Sequence, residues 1–286
     1  MMGALAAYAR VVAPASAVFL LTIRPAAALE PWPSQVSAIY RVEAPVFGNI
    51  GTFQFESKMT GKTYTVKGQG QLGGGVGAFS WKGTLSGSGT VASDTPKPAD
   101  YSFDYRSYRL FKGTKEGSVR MAFDGTGVTR HVVQPPNHPH PDAVPVKDAH
   151  LKDVLDPLTA VMALTRAKGD NPCGRSVAVF DGKHRFDLRF EFRKQQRIAE
   201  AKPSGQPDLG FVCTVRYRPV AGHRMNEETK ALTAETGIEV TFRPVPSAHL
   251  AIPYKIVIPL PLGTAVLTAV RVDIVTAGQK QIALIY

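Results

Sequence analysis

From His184 to Arg193 the chain alternates with period two, and nothing else in it limits the possible folds so tightly. The even positions read His184, Phe186, Leu188, Phe190 and Phe192, the odd ones Arg185, Asp187, Arg189, Glu191 and Arg193. Successive side chains of a strand leave on opposite faces, so this segment has one apolar and one charged face and reads as a half-buried β-strand. Asp181 and Gly182 form a hairpin turn ahead of it and pair it with a strand over Ser176–Phe180. The same period puts Phe53 with Phe55 on one face, as it does Val119 with Met121 and Phe123, Cys213 with Val215 and Tyr217, and Ile238 with Val240 and Phe242. Asp124-Gly125 and Gly61 mark further hairpins. Gly263–Val275 is apolar on both faces at first and then carries Arg271 and Asp273 on one side, which predicts a strand that begins in the core and ends at a rim.

One helix is predicted, over residues 157–168. Asp156 is its N-cap, Pro157 occupies the first turn where its missing N–H is harmless, and Gly169 can end it in the left-handed region. Leu158, Val161, Met162 and Thr165 fall on one face at helical spacing. About a dozen strands with one helix predict a mainly β chain: a single antiparallel, strongly curved sheet or incomplete barrel, with the helix covering its concave face or mouth. The Pro-rich segment 134–146 is a linker candidate. Only the second half holds the helix and the cysteines, so residues 29–286 are read as one domain with a Pro-rich loop.

The N-terminus gives the compartment. Arg10 is a positive n-region, residues 11–23 an apolar run, and Ala26, Ala27 and Ala28 a small-residue cleavage site, so residues 1–28 read as a signal peptide cut after Ala28. Pro14 breaks the run and Arg24 and Pro25 end it, too short for a spanning helix of about 20 residues. No transmembrane segment is expected after its removal, and export to the periplasm is. In that oxidising compartment Cys173 and Cys213, the two cysteines, are expected to form a disulfide.

The 34 Lys and Arg against 23 Asp and Glu give a net charge of +11, of which Arg10 and Arg24 leave with the signal peptide. Nucleic acid is not an expected partner outside the inner membrane; anionic lipid or another anionic envelope component is. The best local anion-binding candidate is the acid-free run holding Arg216, Arg218, His223 and Arg224, against the alternative of a wet face balanced by acids on neighbouring strands. Arg185, Arg189 and Arg193 alternate with Asp187 and Glu191 and read as solvated surface. Gly68, Gly70 and Gly73 spell G-x-G-x-x-G, but no helical period follows, so close backbone packing explains them better than a nucleotide. His138 and His140, with His131 and Asp142 near, lack the spacing of a metal site, and His184 reads as a rim or core residue. No G-x-S-x-G, H-E-x-x-H or P-loop occurs, and neither catalytic residues nor a cofactor are assigned.

The strings Tyr40-Arg-Val-Glu-Ala44, Phe123-Asp-Gly125, Asp156-Pro-Leu-Thr-Ala160, Pro172-Cys-Gly174, Phe180-Asp-Gly182 and Cys213-Thr-Val-Arg-Tyr-Arg-Pro219, followed by Gly222, resemble the exported proteobacterial family known as domain of unknown function 3108. The likeness runs from about Val36 to Val275 and is most specific over 172–224. It implies a periplasmic β-rich protein and, by analogy of fold, a curved sheet similar to the lipoprotein carriers, where a half-barrel and helix enclose an apolar cavity. Two readings follow: a non-catalytic module whose concave aromatic face, with Phe186, Phe190 and Tyr217, holds a lipid or other apolar envelope component, or a packed structural factor for envelope integrity acting through its surface.

Overall fold

The computed structural model describes residues 31–286 except Val46, Gly75, Val76, Pro139, 167–170, Thr236 and Leu262. The signal segment with its cleavage point and the helix stop at Gly169 lie outside the described residues.

Seven strands precede the Pro-rich segment: β1 (Gln35–Ala44), β2 (Gly48–Thr60), β3 (Thr63–Gly74), β4 (Phe79–Ala92), β5 (Thr95–Arg109), β6 (Gly113–Phe123) and β7 (Val128–Gln134). After it come α1 (Pro157–Thr165), β8 (Ser176–Phe180), β9 (Arg185–Arg197), β10 (Leu209–Ala221), α2 (Glu227–Thr233), β11 (Ile238–Val245), β12 (Leu250–Leu260), β13 (Gly263–Val275) and β14 (Gln281–Ile285). All fourteen belong to one antiparallel sheet, ordered β7-β6-β5-β4-β3-β2-β1-β13-β12-β11-β10-β9-β8, with β14 added beside β13. The pairing of β1 with β13 joins strands from the two sides of the Pro-rich loop.

The sheet curls until its two ends meet without pairing. Segment 151–156 crosses the seam: Asp153 N–H donates to Thr126 O (2.8 Å) on the β6–β7 side, and Leu155 exchanges hydrogen bonds with Ala178 and Phe180 of β8 (2.9 and 3.0 Å). His131 of β7 meets the edge of Phe180 at 5.4 Å between ring centroids. The result is the incomplete barrel the alternation predicts, with the outer edge of β8 partly covered by segment 151–156.

α1 lies inside the curve. Asp156 accepts from the Leu158 and Thr159 amides, both at 3.0 Å, as the expected N-cap. The helix ends at Thr165, and of the predicted residues beyond it only Arg166 is described. Arg166 turns extended, bridges to Leu250, and its Nε donates to Asp94 in the β4–β5 turn at 2.9 Å. That ion pair is almost wholly buried.

Two further corrections concern helix number and the inward face of β9. α2 was not predicted, although Asn226 caps it and Glu227 and Glu228 fill its first turn; short 3₁₀ turns at Asp148–Leu151 and Pro246–Ala248 also occur. Phe192 does not share the burial of Phe190. It is 51% exposed, whereas Phe190 is packed among Cys173, Cys213, Val215 and Phe242. In β13 the expected order is reversed: burial is deepest late, at Ala269, Val272 and Ile274, where β1 and β14 flank it.

The glycines of β3 and β4 are explained by a ring. A β-carbon at Gly70 or Gly83 would lie 2.7 or 2.5 Å from the Trp81 indole, so these two positions let Trp81 lie flat on the inner face. Of the G-x-G-x-x-G string, Gly70 meets Trp81 and Gly68 would meet Leu85, Leu158 and Phe53 at 3.2 to 3.3 Å, whereas Gly73 has only an ordinary contact, so close packing accounts for the first two glycines.

Candidate functional site: an apolar cavity beneath the helix

Period two in β1, β2, β12 and β13 aims Val36, Ala38, Tyr40, Phe53, Phe55, Ile252, Ile256 and Leu267 at the barrel axis, and α1 lies across them. Between helix and sheet remains a cavity of about 110 Å³, walled on the helix side by Leu158, Val161, Met162 and Thr165. This is the complete stripe that helical spacing picks out in the sequence.

The polar atoms of the wall are largely occupied. Tyr40 Oη donates to Pro253 O at 2.9 Å, and burial raises its pKa far above the usual tyrosine range. Thr165 Oγ1 donates to Met162 O at 2.8 Å within the helix. One donor stands apart: Trp32 Nε1 is buried and makes no hydrogen bond, while the Arg166 guanidinium lies 5.0 Å over its ring. An apolar cleft with few polar groups, here the Trp32 indole and the Ser57 hydroxyl, suits a ligand that is mostly hydrocarbon.

Beneath the helix start, Asp156 is fully buried. Burial raises its pKa above the aspartate value of 3.8, against the lowering effect of the Thr159 and Leu158 amides, and its Oδ2 has no hydrogen-bond partner. A raised folded pKa means stability is fully present below the unfolded value and declines as pH rises through the folded one. Asp181 and Glu200 shift downward and act in the opposite sense, so Asp156→Asn, which keeps the cap, isolates the effect. Urea titrations should find the wild type gaining on Asp156→Asn as pH falls from neutral toward 4; parallel profiles would exclude the effect.

Phe186, Phe190 and Tyr217, singled out from the sequence, lie elsewhere. Phe190 is buried against Phe242 beside the Cys173–Cys213 disulfide, whose Cα atoms are 5.7 Å apart. Phe186 stacks on Tyr217 at 4.8 Å. Tyr217 Oη is 2.6 Å from His223 Nε2, and His223 Nδ1 is 3.0 Å from Ala221 O, which makes Nδ1 the donor to the carbonyl and Nε2 the acceptor from the phenol. Burial first, and then the neighbouring His184, lower the His223 pKa. His184 in turn holds Asp181 at 3.0 Å. The cluster closes the β8–β9 turn against the end of β10.

The residues of the candidate anion site lie beside acids. Arg216 Nε donates to Glu191 at 3.2 Å and its Nη1 to Glu235 O, while Arg218 sits opposite Asp187 and Arg224 precedes the acidic first turn of α2. For Arg216 the cross-strand acid that sequence alone cannot reveal is present. His140 pairs with Asp142 at 3.2 Å, and no group of three metal-ligating side chains gathers among the described residues.

Of the cavity wall, the α1 stripe and the Phe53–Phe55 alternation were legible. Trp32, Tyr40, Ile252 and Leu267 were not marked, because their convergence depends on β1 and β13 pairing across more than two hundred residues.

No curated protein matches the chain in sequence. Among solved structures it is similar to the β-barrel-like protein of domain of unknown function DUF1849 from Brucella abortus, at 12% identity and a TM-score of 0.50, over 85% of this chain and 99% of that one. That likeness is one of fold. Residues 37–270 match the family described as protein of unknown function (DUF3108), and the chain belongs to that family.

Proposed function

We propose that this is an exported, non-catalytic protein of the bacterial periplasm that holds the hydrocarbon chain of an envelope lipid beneath α1. The observation that carries the reading is the cavity: apolar walls from five elements, with a short helix as cover, and Trp32, whose buried Nε1 has no hydrogen-bond partner, in its lining. The signal-like N-terminus and the disulfide support export.

Size favours a second reading. Small-molecule sites usually measure about 300 to 1,000 Å³, so a space of about 110 Å³ admits only part of a chain unless α1 shifts. A packed structural factor for envelope integrity with no small ligand is the alternative.

Ala38→Leu separates them, since Ala38 is buried and lines the cavity. If the space receives ligand, the larger side chain fills it at little cost in stability and displaces a fluorescent fatty acid. If the interior has no room to spare, overpacking costs about 1 to 3 kcal/mol and the wild type takes up no probe. Urea unfolding and probe titration read the two outcomes.

A further inference from the structure

The antiparallel registers sort the turns onto two rims. The β1–β2, β3–β4, β5–β6 and β12–β13 turns, the β8–β9 turn and the loop after β10 share one rim. α1 ends at the other, on Asp94. Large exposed apolar side chains cluster on the first rim: Phe47, Leu110, Phe111, Met225 and Leu260. Among the described residues the opposite turns, at Gly61, Asp94, Gly125 and Ser247, present none. Phe192, Val132 and Val161 are exposed within their elements, but at the turns such side chains occur on this rim alone among the described residues, which is the pattern of an interaction surface.

Phe111 is the extreme case. It is 97% exposed and has φ of +65°, a left-handed conformation that a bulky residue rarely adopts. The backbone strain and the solvated ring both oppose folding stability, and neither is repaid by a contact within the chain. The surrounding hairpin, 105–115, carries Arg106, Arg109, Lys112 and Lys115 and no acid. Only Arg106 is paired there, with Glu116 at 3.2 Å. Lys183, Arg218 and Arg224 lie on the same rim, whose acids include Glu43, paired with Arg41 at 3.3 Å, Asp181 with His184, Asp187 with Arg185 and opposite Arg218, Glu227 with Lys230 at 2.9 Å, and Glu228. Behind the hairpin a cleft of about 480 Å³ has an apolar floor of Leu72, Phe79, Trp81 and Tyr105 and a basic lip of Arg109, Lys112 and Lys115.

We infer that this rim docks on an anionic phospholipid bilayer, with Leu110 and Phe111 entering the interface and the hairpin cations meeting the headgroups. Apolar tips between cations are what interfacial binding requires: hydrocarbon supplies burial and the basic side chains supply attraction to anionic lipid. The inference rests on the rim alone and holds whether or not the α1 cavity takes a ligand.

The test is cosedimentation of the protein with vesicles of equimolar phosphatidylcholine and phosphatidylglycerol, beside vesicles of phosphatidylcholine alone. Binding is expected to the anionic vesicles and to weaken with salt. Arg109→Gln with Lys112→Gln should weaken it roughly thirtyfold, about fivefold per cation. Phe111→Gly should weaken it roughly tenfold while leaving the melting temperature unchanged or raised, because glycine relieves the left-handed strain. Both variants should take up soluble fluorescent fatty acid like the wild type. Undiminished vesicle binding by Phe111→Gly would overturn the inference, since it would reduce the attraction to unspecific adsorption of a basic protein. So would a wild type that ignores anionic vesicles and instead forms a dimer that Phe111→Gly disrupts.

Discussion

Removing the Cys173–Cys213 bridge is expected to lower stability by about 4 kcal/mol. The two cysteines are 40 residues apart, and loop-closure entropy for a loop of that size gives a figure of this order. The location adds to the expectation. Cys213 is fully buried in β10 and Cys173 lies in the segment that returns from α1 to β8, so the bridge ties the helix return to the third strand from the β8 edge. Both sulfurs sit in one cluster with Phe190, Val215, Val240, Phe242 and Ala251. Cys173→Ala with Cys213→Val keeps the site apolar and near its native volume, so that the lost cross-link dominates what urea unfolding measures. A loss below about 1 kcal/mol would show that the bridge constrains little beyond what packing already holds.

Phe190→Ala should cost about 3 to 5 kcal/mol, the range for truncating a large aromatic in a packed core. Phe190 is 4% exposed and its ring lies 5.8 Å from that of Phe242. For a domain of this size the loss corresponds to a fall in melting temperature of roughly 6 to 20 °C. Phe192→Ala, two residues along the same strand but half-exposed, is the control and should change stability by less than about 1 kcal/mol. Because Phe190 and the disulfide share a cluster, their losses should combine non-additively. Equal effects at Phe190 and Phe192 would contradict the burial difference on which this rests.

The candidate site was half visible in the chain. The stripe Leu158, Val161, Met162 and Thr165 is a local helical pattern, and all four residues face the cavity. Phe186, Phe190 and Tyr217 share the inward face of their strands in the same way, yet they pack into the disulfide cluster and the His223 cluster. Alternation names a face and is silent on depth along the barrel or on which strand curls opposite. The rim carrying Phe111 was hidden for the same reason, since Phe47, Leu110, Met225 and Leu260 come together only through registers that span the chain.

What the amino-acid order determined by itself were the strands, most of their turns, the capped start of α1 and the two cysteines, because each depends on period, turn chemistry or residue type within about a dozen neighbours. Tertiary structure alone decided the rest. It turned Arg166 out of α1 into a buried ion pair with Asp94; it supplied Arg216 with Glu191; and it left Phe192 half-exposed while burying Phe190. It also buried Arg243 completely, its charge met by Glu200 at 2.7 Å. In each case the deciding partner is set by how the sheet curls, and a curled sheet brings together side chains that no local pattern connects.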